Sequence, residues 1–292
     1  MAILGAVMME RTPNRARLVG GLAVAGFGLL WGMLLIRRRT EGSQRRVDKV
    51  ARFVALGVAQ SGIQQALYFA TPFFALTGLS WFHAPFFVLL LLALAASTWD
   101  PWFSQIVERP WLLFALQGAG AWWSLVVVLP IMGLPLLWSH LTTALALALV
   151  APWGAKSLGL PRPLLFSVAV PVVLIACAPI LPPAPLSLAK IGIGTEIVER
   201  ELVSAGARLD RPSSLYCQSS IRAPLGLRDR LFHTWRIDGR FVQRVEVEVS
   251  GGRAAGFRTW SRWSSPRQGV VSCLVETETH QRLGVASASV VR

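Results

Sequence analysis

The sequence predicts a membrane α-helical bundle followed by an all-β antiparallel sandwich, immunoglobulin-like or related, and three observations predict it. Long apolar stretches recur up to about Pro185 with almost no charge between them. Beyond that point the hydrophobic period shortens to two, in segments rich in Arg and Glu. Across the chain 53% of residues are hydrophobic and 15% charged, where soluble domains carry about 25% charged residues. The chain divides into an N-terminal tail over residues 1–17, a multi-pass domain over 18–183 and a soluble β domain over 184–292.

A spanning helix needs about 20 apolar residues to cross about 30 Å of hydrocarbon. Residues 18–36 meet that length and end at Arg37, Arg38 and Arg39. This run exceeds the roughly 7–15 residues of a signal-peptide core, and arginines stand where a cleavage site needs small residues, so it reads as a retained helix. Further spans are expected at 53–76, 79–98, 111–129, 134–153 and 164–181, making six. Prolines such as Pro101, Pro110, Pro130 and Pro161 punctuate the edges, while Pro72 and Pro171 fall inside spans. Trp99, Trp102, Trp111 and Trp153 lie near predicted ends, where indoles form a belt at the headgroup level.

Charge sets the expected orientation. The loops after spans one, three and five hold ten Lys and Arg, against five on the opposite side. Positive-inside reasoning puts the ten in the cytoplasm. The β domain is then expected in the periplasm of a bacterium whose inner membrane holds the helices. The net charge of +14 is spread as +7 over residues 1–52, +2 over 53–190 and +5 over 191–292. Only Lys49, Lys156 and Lys190 are lysines. A GC-rich coding preference also produces such an arginine bias, so the net charge does not by itself argue for nucleic acid.

Polar groups inside the helices are few. Gln60 and Gln64 share a helix face, with Gln65 beside them; with Gln117 they are expected to hydrogen-bond between helices or, on a sharper reading, to line a polar path. His140 is the titratable side chain clearly inside a span, beside Ser139 and near Thr142 and Thr143. It reads as an interfacial histidine, with a proton relay or hydrolase role as the rival. Ser139 and His140 are sequence neighbours and so do not face each other on a helix, and no nucleophile-elbow glycines surround them.

In the β domain, residues 241–249 alternate, with Phe241, Val245, Val247 and Val249 on one face and Val242, Arg244, Glu246 and Glu248 on the other. Asp238-Gly239 precedes them and follows the run 231–237, a strong hairpin signal. Further strands are expected at 214–219, 256–263, 270–278 and 283–290, about seven strands in all. Cys217, Trp235 and Cys273 occur in the order of an immunoglobulin-type sandwich; a Cys217–Cys273 disulfide and two independent buried thiols are the alternatives. No Cys/His spacing matches a zinc site, and no cofactor motif is present. His233, Trp235 and Ile237 share a strand face, and His233 is expected to be buried and to donate to a backbone carbonyl, with ligand binding as the alternative. Arg258, Trp260 and Arg262 share a face of a later strand. They form either a guanidinium–indole ladder or a surface for an anionic lipid, cell-wall polymer or glycan. Basic-aromatic interleaving also suits single-stranded nucleic acid, a reading that the expected topology disfavours.

The stretch His233-Thr234-Trp235, Asp238-Gly239, Gly251, Gly256-Phe257-Arg258-Thr259-Trp260-Ser261, Gly269 and Leu283-Gly284 resembles the bacterial family known as domain of unknown function 2914. The likeness covers about the last 75 residues. Tyr68 to Phe74, Asp100-Pro101 and Leu141-Thr142-Thr143 are similar to a multi-pass region often found ahead of that domain. Val271 stands where that family usually has Trp, and Thr279-His280 replaces a turn glycine, so an indole-dependent surface there is not carried over. The resemblance implies membrane association and a β domain, and no reaction.

The expected function is therefore that of a non-enzymatic envelope protein in contact with the lipid bilayer. Its β domain would bind an envelope protein or an anionic lipid or glycan. The rivals are a transporter or channel using Gln60, Gln64, Gln117 and His140, and a membrane-embedded hydrolase or transferase using Ser139 or His140.

Overall fold

The computed structural model describes residues 46–77, 81–157, 159–264 and 266–291. Among the described residues six α-helices come first: α1 (Arg46–Leu76), α2 (Ala84–Thr98), α3 (Asp100–Glu108), α4 (Pro110–Ile131), α5 (Leu136–Ser157) and α6 (Phe166–Cys177). Among the described residues four helical segments are long and apolar enough to cross a membrane: Trp81–Thr98, Pro110–Ile131, Leu136–Lys156 and Pro163–Ile180. The expected six spans are thus not all found. The segment 18–36 lies outside the described residues, and the glutamine-bearing stretch of α1 leaves it less apolar than the other four.

Helix α3 replaces an expected loop. Asp100 and Pro101 open its first turn, the positions that acidic residues and proline favour. It buries Phe103 and leaves Trp99 and Trp102 exposed, their rings 4.9 Å apart. Helix α4 supplies much of the helical core, with Leu113, Ala121, Trp123, Val126 and Val127 buried against Leu67, Phe74, Phe86 and Leu90. Gly120 of α4 faces Ala66 of α1, and Ser124 Oγ donates to Ala66 O at 2.9 Å. Small residues and a hydroxyl at a helix crossing are the usual means of close packing between apolar helices. The tight connection between α4 and α5 turns at Gly133, whose φ is +94°.

Ten strands follow: β1 (Ser187–Gly194), β2 (Glu196–Val198), β3 (Glu201–Val203), β4 (Arg208–Asp210), β5 (Ser214–Arg222), β6 (Arg228–Ile237), β7 (Arg240–Ser250), β8 (Phe257–Ser264), β9 (Gly269–Thr277) and β10 (Arg282–Val291). One sheet has the order β1-β5-β8 and a second the order β4-β10-β9-β6-β7, with β2-β3 a separate hairpin. Pairing is antiparallel except between β4 and β10. Asp238 and Gly239 both take positive φ, +47° and +77°, as a primed hairpin turn requires.

One strand face departs from the expected alternation. The β6–β7 register shifts between Trp235 and Arg236, which pair with Gln243 and Phe241. The extra residue, Val242, turns into the core, and Phe241 points outward at 65% exposure. A bulge of this kind reverses the side-chain direction beyond it.

The inner faces of the two sheets meet in three layers. At one end Leu215, Cys217, Trp235, Trp263, Val271 and Cys273 pack together. At the other Leu186, Ile221, Leu231, Val247 and Val275 do so, joined by Leu136 from the first turn of α5. Between them lies a polar layer of Ser219, His233, Thr259 and Ser261, all buried.

Candidate functional site

The strand β8 puts Thr259, Ser261 and Trp263 inward and Arg258, Trp260 and Arg262 outward. The three outward residues therefore share a surface, but the expected guanidinium–indole ladder is not formed. Arg258 Nη2 lies 2.6 Å from Glu201 Oε1, and the Arg262 guanidinium sits 5.8 Å over the ring of Tyr216. The β2–β3 hairpin accounts for the difference. It lies on the outer face of β5, where Leu202 N donates to Gln218 Oε1 at 3.0 Å and Gln218 Nε2 donates to Arg200 O at 2.6 Å. Its Glu201 takes one of the two arginines. What stays open is Trp260, 44% exposed, beside Arg262.

His233 is not on that surface. Its Nε2 lies 2.9 Å from Ser219 Oγ and its Nδ1 3.0 Å from Ser261 Oγ. Ser219 is 2.8 Å from Thr259 Oγ1, and Trp235 Nε1 donates to Ser261 Oγ at 2.9 Å. The partners are hydroxyls, not the backbone carbonyl expected. Hydroxyls can donate or accept, so they satisfy a neutral imidazole at both nitrogens. Burial pushes the His233 pKa down to about 4.

Cys217 of β5 and Cys273 of β9 are joined by a disulfide between the two sheets, with Trp235 fully buried opposite Cys273 on the next strand. The two sulfurs and a ring nitrogen of His233 lie within 4.8 Å of one another. With the sulfurs bonded to each other, the imidazole is the one strong donor left, short of the three or four ligands that a zinc site uses.

The polar residues of the helices serve as ties. Gln60 Nε2 donates to Ser97 O and to Asp100 Oδ1, each at 3.1 Å, and Gln64 Nε2 donates to Ser97 O at 2.6 Å. These bonds fasten α1 to the last turn of α2, whose carbonyls lack helical partners. Gln117 is buried with no partner for its amide among the described residues. Ser139 Oγ donates to Leu134 O and Pro135 O, whereas His140 Nε2 lies 3.3 Å from Gln281 Oε1. The serine and the histidine do not meet.

That last contact belongs to a junction between helices and strands. Gln281, in the β9–β10 turn, also donates from Nε2 to Leu181 O at 3.3 Å. His83 lies buried just before α2, 3.0 Å from Ile180 O through Nδ1 and 3.0 Å from Arg282 O through Nε2. The Arg282 guanidinium stacks 4.2 Å over Phe82. Asp229 Oδ2 accepts from Leu136 N at 2.8 Å, capping the first turn of α5, whose amides lack helical partners. Burial raises the Asp229 pKa, while the amides of Leu136 and Arg230 oppose that rise. The sequence held no local sign of Asp229, whose partner is 93 residues away.

Residues 1–211 match the family of unknown function DUF5924. The chain belongs to this family. The DUF5924 match takes in α1 to α6 and β1 to β4, and stops before the strands that carry His233, Trp260 and Arg262. The stretch 233–284, expected from the sequence to resemble domain of unknown function 2914, lies beyond it, and the match does not bear on that expectation. No curated protein matches the chain. Among solved structures, a mutant β-glucosidase from Listeria innocua in complex with laminaribiose aligns at 11% identity and TM-score 0.22, over 35% of this chain and 16% of its own. The same enzyme in complex with isofagomine gives the same values. The chain thus spans about a sixth of that enzyme's length. An alkylpurine DNA glycosylase from Pseudomonas fluorescens, bound to DNA containing an abasic-site analogue, aligns at 14% identity and TM-score 0.23, over 96% of this chain and 82% of its own.

Proposed function

We propose that this DUF5924 protein is an integral protein of the bacterial inner membrane whose periplasmic β domain binds an envelope protein or an anionic lipid or glycan, without catalysis. The β domain is read as an immunoglobulin-like sandwich. Strand order β1-β5-β8 opposite β4-β10-β9-β6-β7, an intersheet disulfide and a buried tryptophan between its strands support that reading. Counted with all six expected spans, the excess of Lys and Arg on one set of loops supports the orientation, as does a disulfide in a compartment that would keep it oxidised.

The observation that carries the binding role is the open strip of Trp260 and Arg262 on β8. A half-exposed indole beside a guanidinium offers stacking and charge at one place. By contrast, Ser219, His233, Ser139 and His140 are buried and occupied with structural hydrogen bonds. The test is recovery of envelope species with the full chain and with the variant Trp260→Ala/Arg262→Ala. Loss of a bound species from the variant is expected, and equal recovery of all of them would sink the reading. Fusions of alkaline phosphatase and of a cytoplasm-only fluorescent protein after Arg292 test the orientation, with phosphatase activity alone expected.

A further inference from the structure

We propose that a cleft between the base of the β domain and the first turn of α5 holds the headgroup of an aminophospholipid, with its ammonium and its phosphate bound together. The proposal rests on the reading of α5 as a membrane span. The cleft has a volume of about 440 Å³. Leu137 and Trp138 of α5 form one wall, and Arg228, Arg230 and Glu248 of the strands, with Glu278 of the β9–β10 turn, form the other.

Its position comes from the wall of α5. The helical segment Leu136–Lys156 is long and apolar enough to cross a membrane, and the cleft opens at its first residues. Trp138 is 57% exposed there, at the place where an indole sits among headgroups. A lipid of the adjoining leaflet would present its headgroup to the strand wall and leave its acyl chains beside the helix.

The charges in the wall select the class of headgroup. Arg230 is already shared between Glu246 at 3.7 Å and Glu278 at 3.6 Å. The Asp229 carboxylate is engaged by the amides of Leu136 and Arg230. Arg228 and Glu248 make no side-chain hydrogen bond or ion pair among the described residues. Arg228 pairs with Ser250 and Arg230 with Glu248 across the β6–β7 ladder, so the spare arginine and the spare carboxylate are diagonal neighbours, about 7–8 Å apart at the backbone. A single headgroup can reach both. Two arginines meet three carboxylates in the lining, so a purely anionic headgroup gains less than one that also carries a cation. An ammonium with N–H donors can hydrogen-bond to Glu248, which a quaternary choline cannot do.

The test is native mass spectrometry of the full chain in detergent with equal amounts of phosphatidylethanolamine, phosphatidylglycerol and phosphatidylcholine. Phosphatidylethanolamine should be retained in preference to the other two. The variant Arg228→Gln/Glu248→Gln keeps the net charge and removes both free ions; it should retain roughly ten-fold less of that lipid. Equal retention by the two proteins, or preference for either other lipid, overturns the site. Soluble glycerophosphoethanolamine at the same concentration should fail to displace the lipid, and full displacement would overturn the bilayer as the source. Sedimentation with membranes after alkaline carbonate washing checks the spanning helices separately. Release of the chain by the wash would refute the membrane reading whatever the lipid preference.

Discussion

His233 sits in the polar layer with hydroxyls at both ring nitrogens and no acid within reach. Its pKa of about 4 in the fold lies below the ordinary value of 6.5 because burial disfavours the charged ring. The unfolded chain therefore takes up a proton near pH 6.5 that the folded chain refuses until about pH 4. The stability this contributes is fully present above the unfolded value and is lost as pH falls through that window, to a total of about 3 kcal/mol. Urea unfolding of the full chain, followed by tryptophan fluorescence at several pH values, should show that loss. His233→Gln should remove most of it while costing about 1–3 kcal/mol at neutral pH, because it leaves a serine hydroxyl without its partner. An unchanged pH slope in the variant would assign the effect elsewhere. The sequence revealed that His233 was buried, because it shares a strand parity with Trp235. It did not reveal the hydroxyl partners, which come from β5 and β8 and follow no local pattern.

At the scale of elements, the strands with strong alternation were legible and the short ones were not. The strands β5 to β10 fall within a few residues of the expected runs, and Asp238-Gly239 turns where the sequence says it should. The four strands before them went unnamed for physical reasons. The strand β1 ends in Gly192 and Gly194, which carry no hydrophobic signal. They are small because the β3 hairpin strand crosses them: a Cβ on Gly194 would lie 2.7 Å from Val203 O. The same crossing brings Glu201 to Arg258, which is why the candidate strip was only partly foreseen. Helix α3 was missed because nine residues are too few for a periodic signal to stand out. The disulfide gives a prediction at this scale. It closes a loop with a sequence separation of 56 between β5 and β9, worth about 4 kcal/mol on a chain-entropy estimate. Reduction, or Cys217→Ala/Cys273→Ala, should lower the unfolding free energy of the β domain by that order, read as a shift of the urea midpoint. A midpoint unmoved by reductant would contradict it.

The whole molecule is fastened at helix ends. The amide of Leu136 is closed by Asp229 and the carbonyl of Leu181 by Gln281, while the His83 ring lies between the carbonyls of Ile180 and Arg282. Helix termini carry the backbone groups that helices leave unsatisfied, and here side chains from distant parts of the chain satisfy them. Such contacts leave no periodic trace, so the joint was invisible to sequence reasoning. Leu136 adds an apolar tie, since it completes one end of the β core. Leu136→Ala should therefore cost about 2–5 kcal/mol and raise hydrogen exchange at the base of β6 and β7. The exposed Leu145→Ala serves as the control and should change neither. Protection unaltered by Leu136→Ala would mean that the strands close without the helix. The layered core gives this joint an order of failure under load. Pulling strands from helices first uproots Leu136 and empties the compartment nearest the membrane. The far compartment, stapled across its sheets and separated by a belt of hydroxyls, stays shut, so the molecule would part in two stages with a half-open domain between them.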